Sequence, residues 1–215
     1  MYYICLGQHC SPASALRILN RRTVALPFDW IRSTPEQLCS VIRNDFKDFH
    51  EDLRVSENNQ YVIDSYGLEF PHDYPTIKNE YNEHGYIIEA SIEDSWKEMI
   101  PQIQEKYKRR ITRFHEIMKS SEPVVALFIG EVSNIREFKK LFLEKYNKTN
   151  IYYVVLSEEI ISDIEGEELM KEQISMCEPE EILIDENDNL FIDKIAQANL
   201  WNDAILKISK EFNLQ

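Results

Sequence analysis

Two apolar runs on either side of an amphipathic segment constrain the fold most strongly. Residues 124–129 (VVALFI) and 151–156 (IYYVVL) are continuous apolar stretches of the kind found in buried parallel strands. The residues between them form one apolar helix face, made of Ile135, Phe138, Leu141, Phe142 and Tyr146. A strand-helix-strand unit of this kind has a right-handed crossover. The sequence therefore predicts an α/β (or α+β) fold with a βαβ unit in its carboxy-terminal half.

A second strand-turn-helix pattern, at the amino terminus, carries a cysteine. The apolar residues 2–6 end at Gly7, and Cys10 follows directly before a predicted helix with Ser11 as its N-cap and Pro12 at its first position. The free N–H groups at a helix start favour an anion, so we expect a lowered pKa for the Cys10 thiol. Cys10 is thus a candidate nucleophile, and the alternative is a buried structural cysteine.

The rest of the chain alternates helical and strand-like segments. Thr34 and Pro35 predict the start of a helix that runs to about Lys47. Ser133 or Asn134 is expected to cap the helix of the βαβ unit. Further predicted elements are a strand within 61–70, a strand at 86–88, a helix over 92–119 that Pro101 kinks or restarts, a solvated segment with helical pieces over 157–181, a hairpin over 182–192 and a final helix over 193–212.

The charge distribution narrows the class of partner. The net charge is −14, and residues 157–188 alone contain thirteen acidic residues and one lysine. Nucleic-acid binding needs clustered Lys and Arg, and no such stripe occurs. We therefore expect a partner other than a nucleic acid.

Hydropathy and cysteine usage indicate the compartment. No apolar run reaches the length of a membrane span, and residues 1–20 lack the pattern of a secretory signal. The four cysteines form no CxxC pair and no dense framework, which argues against a disulfide scaffold. We expect a cytoplasmic protein without membrane association, with one domain over residues 1–215.

Three polar residues stand in unusual surroundings. His72 lies in a loop between Pro71 and Pro75, which disfavour helix and indicate an extended segment. Asp29 lies between two aromatic residues and needs a cationic or N–H partner if it is buried.

Arg110 falls within the apolar stripe of the 92–119 helix, about 20° from Ile103. It therefore predicts either a bound anionic ligand or an ion pair, for which the candidates are Asp29 and Asp73.

The sequence gives no reason to expect a cofactor. No Walker loop is present, and the Gly7 turn has too few glycines for a dinucleotide fingerprint. The potential metal ligands His9, Cys10, His72 and Asp73 lack the spacing of a known metal site. We predict neither a cofactor nor a metal.

Four short segments occur in a specific order: residues 6–10 (LGQHC), 27–30 (PFDW), 70–73 (FPHD) and 109–114 (RRITRF). In this order and at this spacing they resemble a bacterial and viral family of unknown function, the DUF1796 group, whose members are predicted papain-like cysteine peptidases. The resemblance covers most of the chain. It implies a single cysteine-peptidase-like domain.

The resemblance also implies roles for individual residues. Cys10 would be the nucleophile and His72 the base, with an aspartate orienting the imidazole. Asp29 is the better geometric candidate for that aspartate, because Asp73 is adjacent to His72 and neighbouring side chains in an extended loop point apart. Gln8, or the backbone N–H groups at the helix start, would form the oxyanion hole, with His9 and Arg110 as further binding residues.

Three hypotheses follow. The first is a cysteine-dependent hydrolase or acyl-transfer enzyme, for which peptide, isopeptide and amide substrates are not distinguished. The second is a non-catalytic α/β module that binds a phosphate or carboxylate at the Gly7–Cys10 turn and Arg110. The third is a buried structural network formed by the His-Asp and Arg groups. The sequence does not fix an oligomeric state.

Overall fold

The computed structural model describes residues 1–77, 80–81, 87–89, 91–157, 162–177 and 194–214. The strands are β1 (Tyr2–Cys5), β2 (Arg54–Val55), β3 (Val62–Ile63), β4 (Glu80–Tyr81), β5 (Ile87–Glu89), β6 (Val124–Ile129), β7 (Ile151–Leu156) and β8 (Ile174–Met176). The α-helices are α1 (Ser11–Ile18), α2 (Pro35–Arg43), α3 (Ile100–Lys119), α4 (Val132–Tyr146), α5 (Asp163–Lys171) and α6 (Lys194–Glu211). A 3-10 helix over Asp94–Met99 precedes α3.

A four-stranded parallel sheet organises the fold. Its strand order is β1-β6-β7-β8, and Val124 of β6 lies opposite both Tyr2 of β1 and Ile151 of β7. The predicted βαβ unit is confirmed as β6, α4 and β7. The fourth strand, β8, was not predicted, because it has only three residues within the acidic 157–181 segment. Two short antiparallel pairs, β2 with β3 and β4 with β5, lie outside this sheet.

The two faces of the sheet are covered by different helices. Alternate side chains of a strand point to opposite faces, and Ala126 and Leu127 of β6 accordingly belong to different core clusters. The Ala126 face packs against α2, α3, α4 and α5. The Leu127 face packs against α1 and α6. This arrangement of three layers confirms the predicted α/β class.

Several element boundaries differ from the sequence-based expectations. The N-cap of α1 is Cys10, not Ser11, whose hydroxyl has no hydrogen-bond partner. Helix α2 begins as predicted, with Thr34 in a capping box, but ends at Arg43 because Asp45 and Phe46 adopt positive φ angles of 58° and 59°. The N-cap of α4 is Glu131, so the proposed Ser133 and Asn134 caps are wrong.

Prolines and glycines account for three further outcomes. Pro101 lies in the first turn of α3 and marks its start, one of the two alternatives considered. Within 61–70 only Val62–Ile63 is paired with β2, and Gly67 turns the chain with a φ of 80°. Residues 71–74 form a turn and not the expected extended segment. The predicted hairpin over 182–192 lies outside the described residues.

None of the helices in the described part of the chain is long and apolar enough to cross a membrane.

Candidate functional site

The turn that follows β1 is held by close packing. The backbone N–H of Leu6 continues the parallel ladder by donating to the Leu127 carbonyl oxygen at 2.9 Å. Gly7 then adopts a φ of 66°, and a Cβ atom there would lie 2.3 Å from Oγ of Ser33. The N–H of Gln8 donates to the same Ser33 Oγ at 3.1 Å. The turn therefore delivers Cys10 to the start of α1 at the carboxyl edge of the parallel sheet, where α/β proteins place their ligands.

The side chain of Gln8 lies at the ends of two strands. A Cβ atom on Gly130, the residue after β6, would lie 2.9 Å from Nε2 of Gln8. The absence of a side chain at Gly130 thus leaves room for the Gln8 amide at the sheet edge. A donor in this position is compatible with the predicted oxyanion role of Gln8.

Cys10 is the one cysteine of the chain that is not buried. Burial of part of its side chain raises the pKa of the Cys10 thiol, while its own backbone N–H, Lys194 and Arg32 act in the opposite direction. The expected lowering of the pKa is therefore wrong, because loss of solvent outweighs the effect of the helix start and of the two cations. The resting thiol is protonated at neutral pH.

The other cysteines are structural. Cys5, Cys39 and Cys177 are buried, and none of the four cysteines forms a disulfide bond. Burial raises the pKa of Cys39 to about 12, and the carboxylate charges of Glu137 and Glu36 add to this shift. These thiols are poor nucleophiles, which leaves Cys10 as the candidate.

An open pocket of about 290 Å³ reaches the two residues that precede Cys10. It is lined by Gln8 and His9 of the turn, by residues 32–34, by Gln37 of α2, and by Gly67 and Glu69. Partial desolvation and the charge of Arg32 lower the pKa of the exposed His9, so its ring is neutral at pH 7. Arg32 is consequently the cation of this pocket.

Asp29 does not contact His72. It is buried, and its Oδ2 accepts hydrogen bonds from Nη2 of Arg22 at 2.7 Å and from the N–H of Leu26 at 2.9 Å. Burial raises the pKa of Asp29, and these hydrogen bonds oppose that shift. The charge of Asp29 adds to burial in raising the pKa of the Cys5 thiol, so the carboxylate lies close to the end of β1.

His72 is connected to this buried carboxylate through two side chains. The Arg22 guanidinium lies over the ring of Trp30 at 5.6 Å, and Trp30 meets the His72 imidazole edge-on at 5.9 Å. Partial desolvation lowers the pKa of His72, and the charge of Asp73 opposes that shift. Asp29 can thus support His72 through Arg22 and Trp30 without a direct hydrogen bond.

Asp73 anchors the His72 turn to α3. Its carboxylate accepts hydrogen bonds from the Lys106 ammonium and the Tyr107 hydroxyl. In the described part of the chain, neither Asp73 nor Asp29 accepts a hydrogen bond from His72, and His72 makes no hydrogen bond to Cys10. The orienting role of either aspartate stays a prediction.

Arg110 does not form the expected ion pair. Within the described ranges its guanidinium pairs with no carboxylate, because Arg22 takes Asp29 and Lys106 takes Asp73. The guanidinium lies over the Tyr107 ring at 5.5 Å, and its buried Nη1 has no hydrogen-bond partner. It does lie within electrostatic range of Asp29, whose pKa it lowers slightly. The proposed pairing of Arg110 with Asp29 or Asp73 is therefore wrong.

Sequence reasoning missed two arginines of the site, Arg22 and Arg32. Arg22 lies seven residues before Asp29, and Arg32 lies two residues before Thr34, the N-cap of α2. Neither lies in a periodic pattern, so only the requirement that a buried aspartate has a cationic partner pointed towards a residue such as Arg22.

In the residues that the structure describes, no group of three or more His, Cys, Asp and Glu side chains could hold a metal ion.

The sequence profile of a family described as "Putative papain-like cysteine peptidase (DUF1796)" matches residues 1–149. Uncharacterized protein R408 of Acanthamoeba polyphaga mimivirus is 27% identical over 145 residues, which is 57% of this chain and 59% of that protein. This chain thus spans less than two thirds of that relative. No solved structure gives a significant match. Because the profile covers well over half of the chain, the protein belongs to the DUF1796 family.

Proposed function

We propose that the protein is a cysteine-dependent hydrolase or acyl-transfer enzyme that acts on a peptide or amide bond, with Cys10 as the nucleophile. The observation that carries this proposal is the position of Cys10. It is the unburied cysteine, it lies at the N-cap of a helix without a side-chain cap, and it directly follows Gln8 and His9, which line an open pocket. Family membership supports the same reaction class.

The chemistry starts from two neutral groups. The lowered pKa of His72 keeps its imidazole neutral at pH 7, and the raised pKa of Cys10 keeps the thiol protonated. As Sγ attacks the substrate carbonyl carbon, His72 accepts the thiol proton and then gives it to the leaving amine, so that a thioester forms on Cys10. A water molecule, or an acceptor amine, then attacks the thioester and regenerates the thiol.

The oxyanion of the tetrahedral intermediate needs donors close to Cys10. The N–H groups of the first turn of α1 have no side-chain cap, and the Gln8 amide lies at the same sheet edge. Donors that are fixed before the reaction stabilise developing negative charge without reorganisation.

Asp29 and Asp73 act as positioning residues in this proposal. Asp29 fixes Arg22, which supports Trp30 against His72. Asp73 fixes the His72 turn to α3 through Lys106. Both act on the location of the imidazole and not on the substrate.

We also propose a cytoplasmic location, where a reducing environment keeps the four cysteines as thiols. A peptide or amide substrate, and not a nucleic acid, suits the acidic net charge of −14.

The alternative, a module that binds an anionic ligand without catalysis, is favoured by one observation. Arg32 and Lys194 both act electrostatically on Cys10 at the uncapped start of α1. In this alternative the thiol is dispensable, and phosphate binds a Cys10→Ser variant as well as the wild type.

The test is the trapping of an acyl-enzyme. The protein is treated with p-nitrophenyl acetate, and acetylated peptides are located by mass spectrometry. We expect a thioester on Cys10 that is lost in Cys10→Ser, slowed in His72→Ala, and retained in the buried-cysteine control Cys39→Ala. If Cys10 is not acylated, or if His72→Ala reacts at the wild-type rate, the mechanism above is wrong.

A further inference from the structure

The charge of the residues that line the pocket next to the Gly7 turn indicates the chemical class of the substrate. Resting on the proposed function, we propose that this pocket binds a carboxylate of the substrate, on the residue next to the scissile amide, through the guanidinium of Arg32. The carboxylate is the side chain of an acidic residue.

The guanidinium of Arg32 has N–H donors that make no hydrogen bond within the described residues. Its Nη1 donates to the Tyr61 hydroxyl at 3.0 Å, and its Nε and Nη2 make no hydrogen bond to any residue in the described part of the chain. A guanidinium binds a carboxylate best through two parallel N–H donors, and Arg32 can offer such a pair.

Arg32 is also held in place before any ligand arrives. Its backbone N–H and C=O pair with the backbone of Glu69 at 3.0 Å each, and its guanidinium lies over the Tyr61 ring at 5.3 Å. The side chain nevertheless remains 43% exposed towards solvent. A fixed and accessible cation loses little entropy when it binds an anion.

The present anionic neighbour of Arg32 is a weak competitor. The Oε2 atom of Glu69 lies 3.6 Å from Nη1 of Arg32, which is beyond hydrogen-bond distance. An incoming carboxylate with direct hydrogen bonds would therefore be preferred over Glu69, although the negative charge of Glu69 reduces the gain.

The neutral residues that line the pocket carry no charge, so Arg32 determines the selectivity for an anionic ligand. Gln37 is committed to the capping box of α2 and donates its Nε2 to the Gly67 carbonyl at 3.2 Å. The volume of about 290 Å³ suits a single side chain. Arg32 lowers the pKa of both Cys10 and His9, so it lies within electrostatic range of the nucleophile.

Paired fluorogenic peptide amides test this inference. Two series differ only in Glu or Gln at the residue next to the scissile bond, and kcat/KM is measured for both. We expect the wild type to prefer Glu by about tenfold. Arg32→Gln should remove that preference, and Glu69→Gln should increase it. Arg43→Gln is the matched control, because Arg43 is an exposed arginine that pairs with Glu137 away from the pocket.

Binding measurements separate failure of this inference from failure of the proposed function. The same peptides are titrated calorimetrically into Cys10→Ala. If the wild type turns over no substrate but Cys10→Ala binds Glu peptides more tightly than Gln peptides, and Arg32→Gln abolishes the difference, the pocket assignment holds and the enzyme proposal falls. Turnover with equal kcat/KM for Glu and Gln, or no selective binding at all, overturns the pocket assignment.

Discussion

Two arginine-carboxylate pairs flank the turn that carries Cys10, and they differ in the distance between the charged groups and in the exposure of their side chains. Arg22 and Asp29 are joined at 2.7 Å, and the Asp29 side chain is only 4% exposed. Arg32 and Glu69 lie 3.6 Å apart, and both side chains are accessible. Asp29 also accepts a backbone hydrogen bond, whereas Arg32 retains unused donors.

The difference separates a structural role from a binding role. Removing one partner of a buried pair leaves an uncompensated charge and is strongly destabilising. An exposed pair contributes little to stability, because solvent screens the attraction. The Arg22 pair therefore fixes the architecture around Trp30 and His72, while the Arg32 pair can exchange partners with a ligand.

The largest expected effect is that of Asp29→Ala. The substitution leaves Arg22 partly buried without its anion and removes the acceptor for the Leu26 N–H. We expect the free energy of unfolding at pH 7 to fall by about 3–5 kcal/mol, measured by urea denaturation. Glu69→Ala is the control and should change it by less than about 1 kcal/mol. Equal losses in the two variants would contradict the proposed difference between the pairs.

Gly7→Ala tests the turn between the two pairs. The left-handed φ of 66° and the 2.3 Å approach of a Cβ atom to Ser33 Oγ predict a loss of about 1–3 kcal/mol in the free energy of unfolding. Gly166→Ala is the matched control. Gly166 lies within α5 with no atom near its Cβ position, so alanine there should stabilise by about 0.5–1 kcal/mol. A neutral Gly7→Ala would mean that the turn is not under this constraint.

Alkylation of Cys10 by iodoacetamide measures the influence of Arg32. Burial raises the pKa of Cys10, so the labelling rate should increase with pH around a midpoint above about 8.5. Arg32 lowers this pKa, and Arg32→Gln should therefore move the midpoint upwards by less than about one pH unit, with Arg43→Gln unchanged. A midpoint near pH 6 would instead indicate a thiolate-imidazolium pair.

The smallest expected effect is on His72. Its pKa is lowered by partial desolvation, and Trp30 covers one side of its ring. A titration followed by NMR should give a pKa below 6.5, and Trp30→Leu should raise it towards that ordinary value by less than about one unit. His115 is the internal reference and should titrate identically in both proteins. An unchanged His72 pKa would show that Trp30 does not set its environment.

Local sequence was sufficient for the parts of the fold that depend on neighbouring residues. The apolar runs at 124–129 and 151–156 became adjacent parallel strands, because an uninterrupted apolar strand needs burial on both faces. The start of α2 is defined locally, by the capping-box hydrogen bonds between Thr34 and Gln37 and by Pro35 in the first turn. Pro12 in the first turn of α1 placed Cys10 at a helix start, although Ser11 is not the N-cap.

Elements that depend on long-range partners were not predictable. Strand β8 has only three residues, and it forms by parallel pairing with β7. The cation that pairs with Asp73 is Lys106, which lies one helical turn before Arg110 on α3. The way in which the 71–74 turn packs against α3 decides which of these cations Asp73 reaches, and the sequence pattern does not contain that information.

The sequence by itself determined the α/β class, the start of α2 and the identity of the candidate nucleophile, since these depend on apolar periodicity, on capping residues and on residue type. Only the tertiary structure decided the state of that nucleophile and the pairing of the charges around it. Burial raises the pKa of Cys10, and Arg22 rather than Arg110 neutralises Asp29. Solvent exclusion and ion-pair distances are properties of packed atoms from distant segments, so no local pattern encodes them.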